Sequence, residues 1–227
     1  MSRVPWHLRK VRTLIYVALI FAILGVAVSS ALDAPDATHA WVEARELYGL
    51  WALSLLLTSM LAGPLSFVLP WVPLKAHLIL GRKAIGVSAF VLAVSHVACY
   101  LGPTLLRNWS SLFSPGRLWI AGLLLGLAAF ADMATLAITS RRKAIRRLGP
   151  HRWKRLHRSI YLLLPATLLH ATFVGADFGV NKGPDVITDV DAGCLVTMLS
   201  LAMAWLILLI LRKKRLRWTP AIFRRIR

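Results

Sequence analysis

Three histidines of this chain, His96, His157 and His170, fall in long apolar runs. A neutral imidazole offers a lone pair to a metal ion. An ionisable group inside a membrane-grade segment is costly, so function is the first reading there. The stretch "LHRSIYLLLPATLLH", Leu156 to His170, carries a histidine near each end, thirteen residues apart. His7, His39 and His151 stand in polar flanks or loops, and His77 in the connection "WVPLKAHLILGRK". The sequence contains no nucleophile–base arrangement that points to hydrolysis. It has no CxxC, CxxCH, GxGxxG or P-loop pattern. Cys99 and Cys194 lie in or beside apolar runs and read as buried thiols.

The elements that position these histidines are membrane spans. Of the 227 residues, 58% are hydrophobic and 16% charged, with a mean hydropathy of +0.66. A soluble domain is roughly 45–50% apolar. A spanning helix needs roughly 20 mainly apolar residues. Six candidates run over about 13–32, 47–63, 84–102, 117–138, 156–175 and 190–211. The expected fold is an all-α integral membrane bundle of six transmembrane helices. Residues 1–12 are a short lead-in, 13–211 the six-span unit, and 212–227 a basic tail. The net charge of +19 comes from 28 Lys and Arg against 9 acids. All the basic residues except Arg45, Arg107, Arg117 and Lys182 fall on one side of this arrangement. That side takes both termini and is cytoplasmic by the positive-inside rule. The charge therefore sets orientation and implies a lipid bilayer, not nucleic acid, as partner. A cleaved signal peptide is the rival reading of the first span, whose apolar run exceeds the usual 7–15 residues.

Depth pairs the histidines. Helices rise about 1.5 Å per residue, which puts His96 in the third span and His170 in the fifth each roughly 20 Å from the cytoplasmic end. Two imidazoles at one depth on different helices suit the two axial positions of a haem iron. The haem would then lie between the third and fifth spans. His157 sits at the cytoplasmic edge, where the third span offers Arg82 and Lys83. An inner haem on His157 needs a further ligand, His77 or His151. Thirteen residues at about 100° leave His157 and His170 roughly 140° apart on an ideal helix, with Pro165 between them as a possible kink. Otherwise His157 is an interfacial residue touching a propionate, a quinone or nothing.

Arg82 and Lys83 suit haem propionates or anionic headgroups. Asp132 in the fourth span is either part of a proton route or a salt-bridge partner of the 141–147 basic run. Gly122 and Gly126 form a GxxxG pattern for close helix approach. Trp41, Trp71, Trp109, Trp119 and Trp218 suit interfacial belts. The basic run 141–158 serves orientation, lipid contact or docking of a soluble reductase.

"GRKAIGVSAFVLAVSHVACYL" resembles the third-span pattern of the ferric-reductase-like transmembrane superfamily. "RRLGPHRWKRLHRSIYLLLPATLLHATF" is similar to the fifth-span pattern of its bacterial MsrQ branch, also called YedZ. The resemblance spans roughly 33–175 and includes "YGLWALSLLLTSMLAGPL" and "LAITSRRKAIRRLG". By position it implies haem ligation at His96, His157 and His170 by one or two b-type haems. It further implies FMN as a possible cofactor and quinol, or a cytoplasmic flavin reductase, as electron source. The implied acceptor is a periplasmic molybdopterin-containing reductase, and the implied location the bacterial inner membrane. The expected function is that of a membrane cytochrome, an electron-transfer subunit supporting methionine sulfoxide repair. The alternatives are a transmembrane ferric or metal-chelate reductase, and a haem-free assembly or transport component.

Overall fold

A computed structural model describes residues 6–68, 75–107, 116–174 and 192–218. Every element within them is helical: α1 (Trp6–Asp33), α2 (Ala37–Val68), α3 (Lys75–Arg107), α4 (Arg117–Thr139), α5 (Arg142–Leu148), α6 (Pro150–Leu156), α7 (Ile160–Val174) and α8 (Ala192–Trp218). Among the described residues four stretches are long and apolar enough to cross a membrane: Lys10–Asp33, Ala37–Val68, Ala76–Gly102 and Arg117–Thr139. Their outward faces are apolar. Phe21 is 70% exposed, Leu32 78% and Leu162 of α7 74%. Such a surface would associate in water and is at rest in lipid.

Two helix pairs organise the bundle. α2 packs along α3, with α1 and α8 against that pair, and α4 packs along α7. Leu53, Leu56, Leu57 and Met60 of α2 join Ala89 of α3, Ala129, Met133 and Leu136 of α4, Leu163 and Leu164 of α7, and Trp205 of α8 in one core. A second core, with Leu19, Val26, Tyr48, Leu92 and Cys99, lies between α1, α2 and α3.

Several sequence expectations change. The helices overrun the expected spans: α2 has 32 residues and α3 has 33. His77 therefore belongs to the start of α3, not to a connection. His39 lies in the first turn of α2, not in a loop. Trp119 is buried rather than interfacial. It shares one stripe of α4 with Gly122, Ala129, Met133 and Leu136, at the 3–4 spacing of a packed face. The expected fifth span is not one helix from 156. Residues His157–Ser159 form a 3₁₀ turn, and α7 starts at Ile160 with 15 residues. The tighter winding of that turn invalidates a rotation counted at 100° per residue. Upstream, Gly149 adopts φ 74° and its N–H bonds Ile145 O, ending α5, while Pro150 opens α6. Glycine tolerates that φ and proline lacks the N–H that a first turn leaves unused. Trp71, Trp109 and Lys182 lie outside the described residues, as do the side chains of His7, Arg107, Cys194 and Trp218.

Candidate functional site

Each helix pair holds one histidine by the same device. His96 of α3 donates Nδ1–H to the Arg45 carbonyl of α2 over 2.8 Å. His170 of α7 donates Nδ1–H to the Gly122 carbonyl of α4, also over 2.8 Å. A helical carbonyl already accepts from the N–H four residues on, but its oxygen has a second lone pair. The residue four positions on covers that lone pair, because Cβ atoms lean toward the helix N-terminus. Both such positions are glycine. A Cβ on Gly49 would lie 2.8 Å from His96 Nδ1, and one on Gly126 would collide with His170 Nδ1. A Cβ on Gly122 would meet Val174 and lie 2.8 Å from Phe173 Cβ, so this glycine also lets α7 approach α4.

These bonds fix both tautomers. With the proton on Nδ1, each ring keeps the Nε2 lone pair for a ligand, and a carbonyl on the other nitrogen is the usual support of a metal-bound imidazole. The two rings meet edge to face where the helix pairs adjoin, centroids 6.2 Å apart and planes at 90°. A metal–imidazole bond is about 2 Å, and a ring centre lies about 1 Å behind its nitrogen, so two in-line bonds to one ion separate centroids by about 6 Å. His96 and His170, so spaced and each with Nε2 left for a ligand, are the residues that would hold one haem iron here. Arg45, whose carbonyl holds His96, places its guanidinium over Tyr100 (5.8 Å) and beside Glu46 (3.5 Å).

His157 has a different setting. Its ring lies 4.2 Å from the Trp153 ring, and Nε2 is 3.1 Å from Thr139 Oγ1. The Thr139 hydroxyl donates to Thr135 O at 2.6 Å, so its oxygen accepts from His157 Nε2–H. The nitrogen left free is then Nδ1, the reverse of His96 and His170. His151, an expected co-ligand, is exposed on α6. Arg82 and Asp132 lie within electrostatic reach of His157.

Arg82 and Lys83 separate. Arg82 lines one small space with Tyr161 and Arg212, whereas Lys83 lies within electrostatic reach of Arg12, Arg142 and Arg141. Asp132 Oδ1 accepts a 2.7 Å bond from Ser159 Oγ. Among the described residues no arginine of 141–147 forms an ion pair with it.

Sequence reasoning missed Arg45 and Gly49. Glycine at the expected depth of His96, on a neighbouring apolar run, was the available signal. It also missed a cavity of about 530 Å³ between the ends of α1, α2 and α3. Alanines, Trp41, Tyr48 and Cys99 wall it, and Cys99 lies one turn from His96. The Ser30 hydroxyl borders it, 1% exposed and without a hydrogen-bond partner among the described residues. At its rim Asp36 Oδ1 accepts the N–H groups of Thr38 and His39, and Oδ2 meets His39 Nδ1 at 2.7 Å. The His39 N–H first, then its ring, holds the Asp36 carboxyl below its ordinary 3.8.

The pattern of the ferric reductase like transmembrane component family matches residues 48–168. The chain is 33% identical over 128 residues to a protein-methionine-sulfoxide reductase heme-binding subunit MsrQ of Caulobacter vibrioides, covering 56% of this chain and 57% of that protein. It is 36% identical over 133 residues to the MsrQ subunit of Agrobacterium fabrum, covering 56% and 55%. It is also 36% identical over 124 residues to the magnetosome protein MamZ of Magnetospirillum gryphiswaldense, covering 54% of this chain and 18% of that one. The chain thus spans little more than half the length of the MsrQ relatives it matches.

Proposed function

Because the chain belongs to the ferric reductase like transmembrane component family, we propose that it is the haem-bearing membrane subunit of an electron-transfer system. The observation that carries this reading is the His96–His170 pair, 6.2 Å apart with both Nδ1 atoms bound to carbonyls. His96 and His170 would hold the haem iron, which when bound would supply one-electron exchange between ferric and ferrous forms.

The chain's own residues hold and shield that centre. Arg45 and Gly122 carbonyls orient the imidazoles and raise their basicity, which favours the oxidised metal. Gly49 and Gly126 keep the rings seated. The core below excludes water: Phe90 of α3 and Phe130 of α4 meet at 5.7 Å. In the full reading the fold is a six-span bundle in the bacterial inner membrane, with both termini cytoplasmic and α7 and α8 as the last two spans. One b-type haem lies at His96 and His170. A second, on His157 with His77 or His151, and FMN belong to the wider version of the reading. Electrons come from quinol or a cytoplasmic flavin reductase and leave to a periplasmic molybdopterin-containing reductase that repairs methionine sulfoxide. A quinol donor suits the cavity beside His96. Its alanine walls admit an apolar ring, and the Ser30 hydroxyl offers a hydrogen bond to a ring oxygen.

The test is an optical spectrum of purified protein before and after dithionite. A reduced b-type α-band that disappears in His96→Ala and in His170→Ala is the expected result. Absence of the band from wild-type protein would defeat the reading.

A further inference from the structure

At the basic end of the bundle two arginines from different helices converge on one small cavity. Arg82 comes from α3 and Arg212 from α8, and both line a space of about 30 Å³ with Pro64 of α2, Tyr161 of α7 and Trp205 of α8. One turn of α2 seats both. The Arg82 guanidinium lies over Gly63, with Nη1 3.2 Å from where a Cβ would stand. The Arg212 guanidinium lies over the Phe67 ring, 5.4 Å from its centroid. Tyr161 and Trp205 stack at 5.8 Å and close the opposite wall.

This arrangement is electrostatically unfavourable by itself. The two positive charges act on each other, and among the described residues neither arginine forms an ion pair with a carboxylate. The surrounding side chains are apolar, including Met60, Ile160 and Leu209. Low polarity there strengthens both the repulsion and the attraction for an anion placed between the charges. The space takes a group the size of one or two water molecules, which suits the head of a larger molecule whose body lies outside. Arginine forks match the oxygens of phosphate and carboxylate.

We propose that Arg82 and Arg212 form a seat for one phosphate- or carboxylate-class anion where α2, α3, α7 and α8 meet. Two sources carry this chemistry: the phosphate of an anionic membrane lipid, and the propionate of a haem at the His157 end. The lipid source is independent of the haem reading, whereas the propionate source rests on it. Lys83 is the built-in control, because it adds the same charge next to Arg82 in sequence but lies within electrostatic reach of a different group of side chains.

Native mass spectrometry of full-length protein, released from nanodiscs of phosphatidylglycerol and phosphatidylcholine, tests the seat. Wild-type protein should retain phosphatidylglycerol preferentially. Arg82→Gln and Arg212→Gln should each lower that retention about fivefold, Lys83→Gln should leave it unchanged, and the double variant Arg82→Lys with Arg212→Lys should restore much of it. Haem equivalents per chain are counted in parallel. A loss of haem equivalents with unchanged lipid retention identifies the propionate as the occupant. The seat is overturned if the double glutamine variant, folded by circular dichroism, matches wild type in both measurements. Equal loss in Lys83→Gln also overturns it, since bulk charge then suffices.

Discussion

The His96–His170 pair and His157, at the basic end of the bundle, occupy similar sequence settings and opposite chemical ones. All three sit on helical or 3₁₀ segments of an apolar bundle, and all three are partly buried. In the pair each ring gives Nδ1–H to a carbonyl beside a glycine and keeps Nε2 free. At the basic end His157 stacks on Trp153 and engages Nε2 with Thr139. Burial therefore does not separate the two settings. The partner of the second ring nitrogen does, because it decides which lone pair remains.

The largest expected effect breaks the comparison directly. His96→Ala and His170→Ala should each abolish the reduced α-band, and His157→Ala should leave most of it. An equal loss in His157→Ala would show that the two ends are not different in kind. Glycine replacements come next. Gly126→Ala and Gly49→Ala each place a Cβ against an imidazole, so haem content should fall sharply and thermal stability by about 1–3 kcal/mol, the usual toll of overpacking. Gly25→Ala, with no heavy atom within 4 Å of its Cβ, should change neither haem content nor fold. A uniform response of the three glycines in haem titration would remove the proposed role of the carbonyl–glycine device.

A smaller effect sharpens the basic end. Thr139→Val takes away the acceptor of His157 Nε2 and should cost about 1 kcal/mol with the α-band unchanged. A pyridine haemochrome assay on wild-type protein should count one haem per chain if Nε2 of His157 stays with Thr139. A count of two would assign His157 to a second centre. The smallest effect concerns the rim of the cavity beside His96. Asp36 has a lowered pKa in the folded chain, so its charged form is favoured there. Its capping contribution is complete above the ordinary value of 3.8 and is lost as pH falls through the lowered one. Amide exchange at Thr38 and His39 should accelerate only in that acidic range, and Asp36→Ala should make it fast at neutral pH.

The helical class, the apolar runs and His96 and His170 as a pair were legible in the sequence, since hydropathy and rise per residue are local properties. The break at 157–159 was not, because "LHRSIYLLL" has the composition of continuous helix. The division of Arg82 from Lys83 was not legible either. Adjacent residues on a helix point about 100° apart, and which neighbour each meets depends on where α8 and α1 pack.

By itself the sequence determined that this chain is membrane-grade helix, how its charge is distributed between the ends of the spans, and which histidines share a depth. The tertiary structure alone decided which nitrogen of each histidine is free. That choice belongs to a hydrogen-bond partner some fifty positions away, Arg45 for His96 and Gly122 for His170. Packing of α2 on α3 and of α4 on α7 brings each carbonyl to its ring, and no local pattern around either histidine encodes that contact.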